Sequence, residues 1–169
     1  MTAHYNTTSS TLGPLLAEYG ASRVQATQAN LSKEEDALRM FDSLKASSFG
    51  PVQVLIANHG YYPPADVPVA EMSLAQWEST FTANMTSTFL VVREYLKQLA
   101  HATDAQKEKA SIVIIGSTAG KYGEIAHADY SAAKSGARAS FSDVSSEPNL
   151  VLVRYLCSHD VRIRDDVEE

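Results

Sequence analysis

Two short stretches constrain this chain more than any others. Val52-Gln53-Val54-Leu55-Ile56-Ala57 and Ser111-Ile112-Val113-Ile114-Ile115-Gly116 are almost wholly apolar and rich in β-branched residues. Such runs suit strands covered on both faces, as in parallel sheets. Each is followed by a polar turn, Asn58-His59-Gly60 in one case and Ser117 onward in the other, and then by a helical pattern. Parallel strands need a long crossover rather than a hairpin, and a helix is the usual one. Strand alternating with helix therefore predicts an α/β domain built on a parallel sheet, with the two apolar runs as neighbours and Asn58 and Ser117 at their C-terminal ends.

The remaining elements follow from periodicity. Residues 1–6 are strand-like, and Leu12, Leu15, Leu16 and Tyr19 form a helical stripe opened by Pro14 and closed by Gly20. Residues 23–31 alternate as a strand. Ser32-x-x-Glu35 has the form of a capping box for a helix with Leu38, Phe41 and Leu44 on one face. Ser73-x-x-Gln76 is a second such box. It opens the longest helix, to about residue 100, with Trp77, Phe81, Met85, Phe89, Val92, Leu96 and Leu99 expected on its buried face. Residues 101–110 read as a polar surface loop, 117–126 as a loop with Gly120 and Gly123, and a helix from about residue 127 carries Tyr130 and Lys134. Residues 150–157 have the composition of a strand, and 158–169 form a charged tail without periodicity.

Composition excludes several functions. The net charge of −6 with no Lys/Arg block argues against nucleic acid as a partner. No apolar run approaches the ~20 residues of a membrane span. The single Cys157 has no partner for an internal disulfide, which fits a reducing, cytoplasmic compartment. The five histidines are scattered without metal-ligand spacing, so no metal site is expected. Gly116-Ser117-Thr118-Ala119-Gly120 is not the Gly-x-Ser-x-Gly of a hydrolase elbow.

Chemistry concentrates around Tyr130-Ser131-Ala132-Ala133-Lys134. Tyr and Lys four apart share one helix face. A nearby ammonium favours a phenolate, and a tuned tyrosine can pass a proton to or from a reacting oxygen. Ser117 stands at a strand end, where α/β sheets place their sites. Asn84 is a poor helix former in the middle of an amphipathic helix, a broken local rule of the kind that marks function.

Tyr130-x-x-x-Lys134 with Ser117 resembles the active site of the short-chain dehydrogenase/reductase family, in particular its 3-oxoacyl carrier-protein reductases. Ala57-Asn58-His59-Gly60 resembles the family's Asn-Ala-Gly motif with His in place of Ala, and Asn84 resembles the family's helix asparagine. The resemblance implies a Rossmann-type doubly wound parallel sheet and hydride transfer between NADP(H) or NAD(H) and a small carbonyl/alcohol substrate. It makes Tyr130 the general acid/base and Lys134 the residue that lowers its pKa and holds the nicotinamide ribose. Ser117 binds the substrate oxygen, and Asn84 holds a water linking Lys134 to solvent. Asn58, His59 and Gly60 line the cofactor cleft, Asn30 and Leu31 flank the adenine, and Tyr5 and Asn6 stand near the adenosine ribose. With no acidic residue in 1–10 to hold a ribose 2′-hydroxyl, NADP(H) is favoured over NAD(H). Homo-oligomer contacts are expected from the helices carrying Asn84 and Tyr130.

The family pattern is incomplete at both ends. No Thr-Gly-x-x-x-Gly-x-Gly turn is present, and residues 3–6 resemble the end of the family's second strand. The first strand lies mid-sheet in the family, so its absence is expected to split the sheet and bare two edges. The C-terminal strands, Pro-Gly motif and substrate lid that follow the Tyr/Lys helix in the family are also expected to be missing, and the chain reads as a truncated form. The sequence predicts a partial dinucleotide-binding domain over 1–139, a divergent tail over 140–169, and impaired catalysis. The alternative is a non-catalytic fragment that binds no cofactor and associates with other subunits.

Overall fold

A computed structural model of the chain describes residues 1–141 and 152–157. The strands are β1 (Thr2–Tyr5), β2 (Gln25–Gln28), β3 (Val54–Ala57), β4 (Ser111–Ile115) and β5 (Leu152–Leu156). The helices are α1 (Gly13–Tyr19), α2 (Glu34–Lys45), α3 (Leu74–Phe81), α4 (Ser87–Ala100), α5 (Asp104–Lys107), α6 (Ala119–Tyr122) and α7 (Ala128–Phe141). All strand pairs are parallel. β3 and β4 are neighbours, Val54 facing Ser111 and Ala57 facing Ile114, so Asn58 and Ser117 leave adjacent strand ends as expected. The expected division of the sheet is also found: β1-β2 forms one sheet and β3-β4-β5 another.

The core lies between the second sheet, α2 and α4. Ile112 and Ile114 of β4 meet Met40, Phe41 and Leu44 of α2 and Val91, Val92, Tyr95 and Leu99 of α4 in one buried cluster. Tyr95 is wholly buried and donates its hydroxyl to the Gln53 carbonyl at 2.6 Å, which ties α4 to the start of β3. Burial pushes this phenol up to about 12.

Several expectations are corrected. β3 is not covered on both faces: Val54 and Ile56 are 53% and 63% exposed, so among the described residues one face of this strand stays open. The Ser32 capping box does not form. Lys33 is the N-cap of α2, the Asn30 side chain accepts from Ser32 N–H, and the Asp36 carboxylate takes the Asn30 N–H. At the second box, Ser73 accepts from Gln76 N–H, but the Gln76 side chain turns away to Asp129. The polar stretch after residue 100 contains a complete box instead, Thr103 with Gln106, opening the short α5. Leu38 is exposed, and α2 buries Ala37 and Met40 beside Phe41 and Leu44.

The long helix is interrupted by a π turn over Thr82–Thr86, with Asn84 at its centre. One extra residue in a turn rotates everything downstream, and such turns gather at functional sites. Trp77, before the turn, and Phe89, after it, are exposed at 38% and 44%, while Thr80, Asn84, Ser87 and Thr88 are buried. The stripe read from the sequence assumed an unbroken helical period.

Among the described residues, no helix is long and apolar enough to cross a membrane, and no group of three His, Cys, Asp or Glu could hold a metal.

Candidate active site

α7 carries Tyr130 and Lys134 and packs against α6 through small residues. A Cβ added to Gly120 would stand 2.8 Å from the Lys134 carbonyl carbon, so only glycine permits this approach. Ser135 Oγ donates to the Gly120 carbonyl at 2.6 Å and locks the crossing. The α6–α7 contact thus brings the loop after β4, with Ser117, to the Lys134 end of α7. Ser117 Oγ accepts from Ala119 N–H at 3.2 Å and shapes that loop.

Lys134 is buried. Its Nζ lies 3.4 Å from the Ile115 carbonyl, at the end of β4, and 5.8 Å from the centre of the Tyr130 ring. Burial holds its ammonium below the ordinary lysine value. Gly60 completes the wall: a Cβ there would be 2.9 Å from Asn84 Oδ1 and 3.2 Å from Lys134 Nζ. The structure therefore gathers Gly60, Asn84, Tyr130 and Lys134, with Ser117 beyond the Ile115 carbonyl.

The Asn84 side chain grips the chain after β3. Its Oδ1 accepts from Tyr61 N–H at 3.1 Å, and its Nδ2 donates to the Tyr61 and Thr80 carbonyls at 2.8 and 2.9 Å. The π turn frees this asparagine to face inward, which gives its poor helix propensity a structural reason. Asp129, absent from the sequence reading, continues the network. Its carboxylate accepts from Thr80 Oγ1 at 2.7 Å, Gln76 Nε2 at 3.1 Å and Tyr130 N–H at 2.8 Å. Asn84 and Tyr130 are thus linked through Thr80 and Asp129. Burial alone would raise the Asp129 pKa, but the hydrogen bonds from Thr80, Tyr130 N–H and Gln76 outweigh it and hold the carboxyl below its usual value.

Three aromatic side chains also escaped the sequence reading. Tyr62 stands edge-on to Tyr130, ring centres 4.9 Å apart, and tilts over His127 at 4.4 Å. His127 holds Asp66 at 3.0 Å, which fastens the Pro-rich loop over the Tyr130 ring. Tyr155 of β5 covers Gly116, where a Cβ would run into its ring, and donates to the Lys134 carbonyl at 2.9 Å. The only sequence signal for these was proximity to Tyr130 or to a strand end.

The cofactor-side residues are spread out. His59 shares a hydrogen bond with Ser87 Oγ at 2.9 Å, and Asn58 is exposed. Asn30 is used by its own loop, and Leu31 is in the core. Tyr5 ends β1, and the Asn6 carbonyl accepts from Gln28. Burial, then His4, then Lys134 lower the His59 pKa from 6.5 to about 4. An imidazole neutral in the fold but protonated in the unfolded chain gives stability that is complete above pH 6.5 and lost as pH falls towards 4. Wild-type stability should drop by about 2–3 kcal/mol over that window. His59→Gln should flatten the slope in urea unfolding at a series of pH values.

The sequence matches the family profile of short chain dehydrogenases over residues 2–155. It is 32% identical to acetoacetyl-CoA reductase of Cupriavidus necator over 111 residues, which is 66% of this chain and 42% of that protein. It is 29% identical to 3-oxoacyl-acyl-carrier-protein reductase FabG of Aquifex aeolicus, over 70% of this chain and 44% of that protein. A short-chain dehydrogenase from Streptomyces avermitilis superposes with a TM-score of 0.78 at 20% identity, covering 91% of this chain and 55% of that one. The chain spans less than half the length of these two enzymes. The family profile covers nearly the whole of the chain, and the chain belongs to the short-chain dehydrogenases.

Proposed function

We propose that this chain carries the proton-transfer half of a short-chain dehydrogenase active site and lacks the half that holds the dinucleotide. The observation that carries this reading is the junction of Gly60, Asn84, Tyr130 and Lys134, packed within hydrogen-bond or ring-contact distance at the end of β4. In this reading Tyr130 passes the proton to or from the substrate oxygen, and Ser117 holds that oxygen. Lys134 supplies positive charge to the phenol and the ribose, and Asn84 keeps the Tyr61 backbone in place and holds the relay water. The nicotinamide cofactor, when bound, supplies the hydride.

The residues present do not fit a complete dinucleotide. A pyrophosphate needs backbone N–H groups at a glycine-rich turn entering a helix. β1 runs through Asn6–Ser9 into a short turn and the seven-residue α1, which opens on a lone glycine, Gly13, and β2 runs through Asn30–Ser32 into α2 with none; neither connection is glycine-rich. Among the described residues, the glycine that approaches Lys134 Nζ is Gly60, on the reacting side. NADP(H) is preferred to NAD(H), since the end of β1 offers Tyr5 and Asn6 and no carboxylate. The substrate class is a small carbonyl/alcohol pair of the 3-oxoacyl kind, in keeping with the two enzymes named above. The same incompleteness leads us to expect impaired turnover, and the domain takes in β5, paired with β4, beyond the 1–139 read from the sequence.

The purified chain should show no measurable NADPH oxidation with a simple 3-oxoacyl ester. Turnover abolished by Tyr130→Phe would establish a complete active site and overturn the half-site reading.

A second reading has its own observation. Trp77 and Phe89 are exposed beside the Asn84 helix, and Trp77 stacks on Phe81 at 6.1 Å. An apolar stripe of this kind suits a subunit contact, either a homo-oligomer or association of a non-catalytic fragment with a full-length subunit. Trp77→Glu should convert a dimer to a monomer in sedimentation velocity.

A further inference from the structure

Lys134 is a lysine taken out of water, and the described residues return little to its charge. It is 7% exposed, and no other lysine is buried. Among the described residues its Nζ has one hydrogen-bond acceptor, the Ile115 carbonyl, at a long 3.4 Å. No carboxylate offsets its burial. The titratable groups that face it are His59, from the turn after β3, and Tyr130, with its ring centre 5.8 Å away. A buried ammonium without a counter-charge gives way to the neutral amine. A neutral lysine amine is a nucleophile, and desolvation is one way in which such amines are activated towards carbonyl carbon.

The same nitrogen stands beside a gap in the wall. Gly60 is exposed and carries no side chain to cover it; a Cβ there would lie 3.2 Å from Nζ. Tyr61, Tyr62 and Tyr130 border this approach without charge. Glu124 and Asp66, which act on Tyr62, disfavour an anionic guest.

We propose that Lys134 captures small uncharged aldehydes as imines. The amine nitrogen attacks the carbonyl carbon and forms a carbinolamine. The C–O bond then breaks, both amine hydrogens leave with the oxygen as water, and a C=N bond replaces the C=O bond. Tyr130, one turn away on the same helix face, gives a proton to the departing hydroxyl and regains one as the N–H is lost. No electrons are gained or lost, and no nucleotide takes part. The proposal shares Tyr130 with the half-site reading but needs no cofactor, so NADPH binding would overturn that reading and leave this one standing.

The test incubates the intact protein at neutral pH with butanal and sodium cyanoborohydride, which reduces an imine to a stable secondary amine. Peptide mass spectrometry follows the labelling rate at each lysine. Lys134 should react at least about tenfold faster than the exposed Lys33 and Lys45. Tyr130→Phe should slow Lys134 by at least about tenfold and leave Lys33 unchanged. Unfolding in guanidinium chloride should abolish the preference. Lys134 labelled no faster than Lys33 in the folded protein would overturn the proposal. So would an unchanged Lys134 rate in Tyr130→Phe, or a preference that survives unfolding.

Discussion

Asp129→Ala is expected to lower stability by about 3 kcal/mol, or the melting temperature by roughly 10 °C. Asp129 is wholly buried and accepts hydrogen bonds from α3 through Gln76 and Thr80, and from the first turn of its own helix through Tyr130 N–H. Truncation leaves these donors without a partner in a dry site, and each orphan costs about 1–3 kcal/mol before relaxation. Asp129→Asn keeps an accepting oxygen and should cost less than half as much. The pH dependence has a defined sign. The carboxyl is held below its ordinary 3.8, so its contribution is present above that value and lost as pH falls through the lower, folded-state pKa. This window lies below the one assigned to His59, so unfolding curves at graded pH separate the two groups.

Gly120→Ala should be the other large effect, about 2 kcal/mol destabilising, because the new Cβ meets Lys134 backbone and Ser135 N at 2.8–3.0 Å. Backbone atoms cannot rotate away, so α6 must move off α7 and take the Ser117 loop with it. Gly136→Ala is the contrast on the same helix. Its Cβ would meet Met85 Sδ at 3.6 Å, Met85 Cε at 3.9 Å and Phe81 Cζ at 4.0 Å, all ordinary contacts. Removing a glycine from a helix interior gains about 0.5–1 kcal/mol, so this variant should be slightly more stable than wild type. Thermal unfolding of both variants gives the comparison directly.

The parts of the fold visible in the sequence were those set by local pattern. The two apolar runs announced β3 and β4 and their order, and Gly20 closes α1 at a φ of 70°, as its place after Tyr19 suggested. The divided sheet was legible because a missing Gly-rich segment is a property of the sequence itself. The inward stripe of the long helix was legible in part: Val92 and Leu99 are buried and Met85 and Leu96 pack on the core, but Trp77 and Phe89 are exposed, and nothing local except Asn84 hints at the π turn at Thr82–Thr86. Ser32 failed as a cap because Asn30 and Asp36 offered the loop a competing set of hydrogen bonds. Asp129, Tyr62 and Tyr155 act through partners 49, 68 and 21 residues away, Thr80, Tyr130 and Lys134, and Asp129 also through the N–H of its chain neighbour Tyr130. Periodicity does not carry such distances.

The central claim, a proton-transfer half-site without a dinucleotide cradle, is tested most directly by fluorescence titration of the intact chain with NADPH and NADH. Saturation should be absent up to about millimolar cofactor, far weaker than for a complete member of the family titrated alongside. Micromolar binding of either nucleotide, weakened by Lys134→Ala, would contradict it.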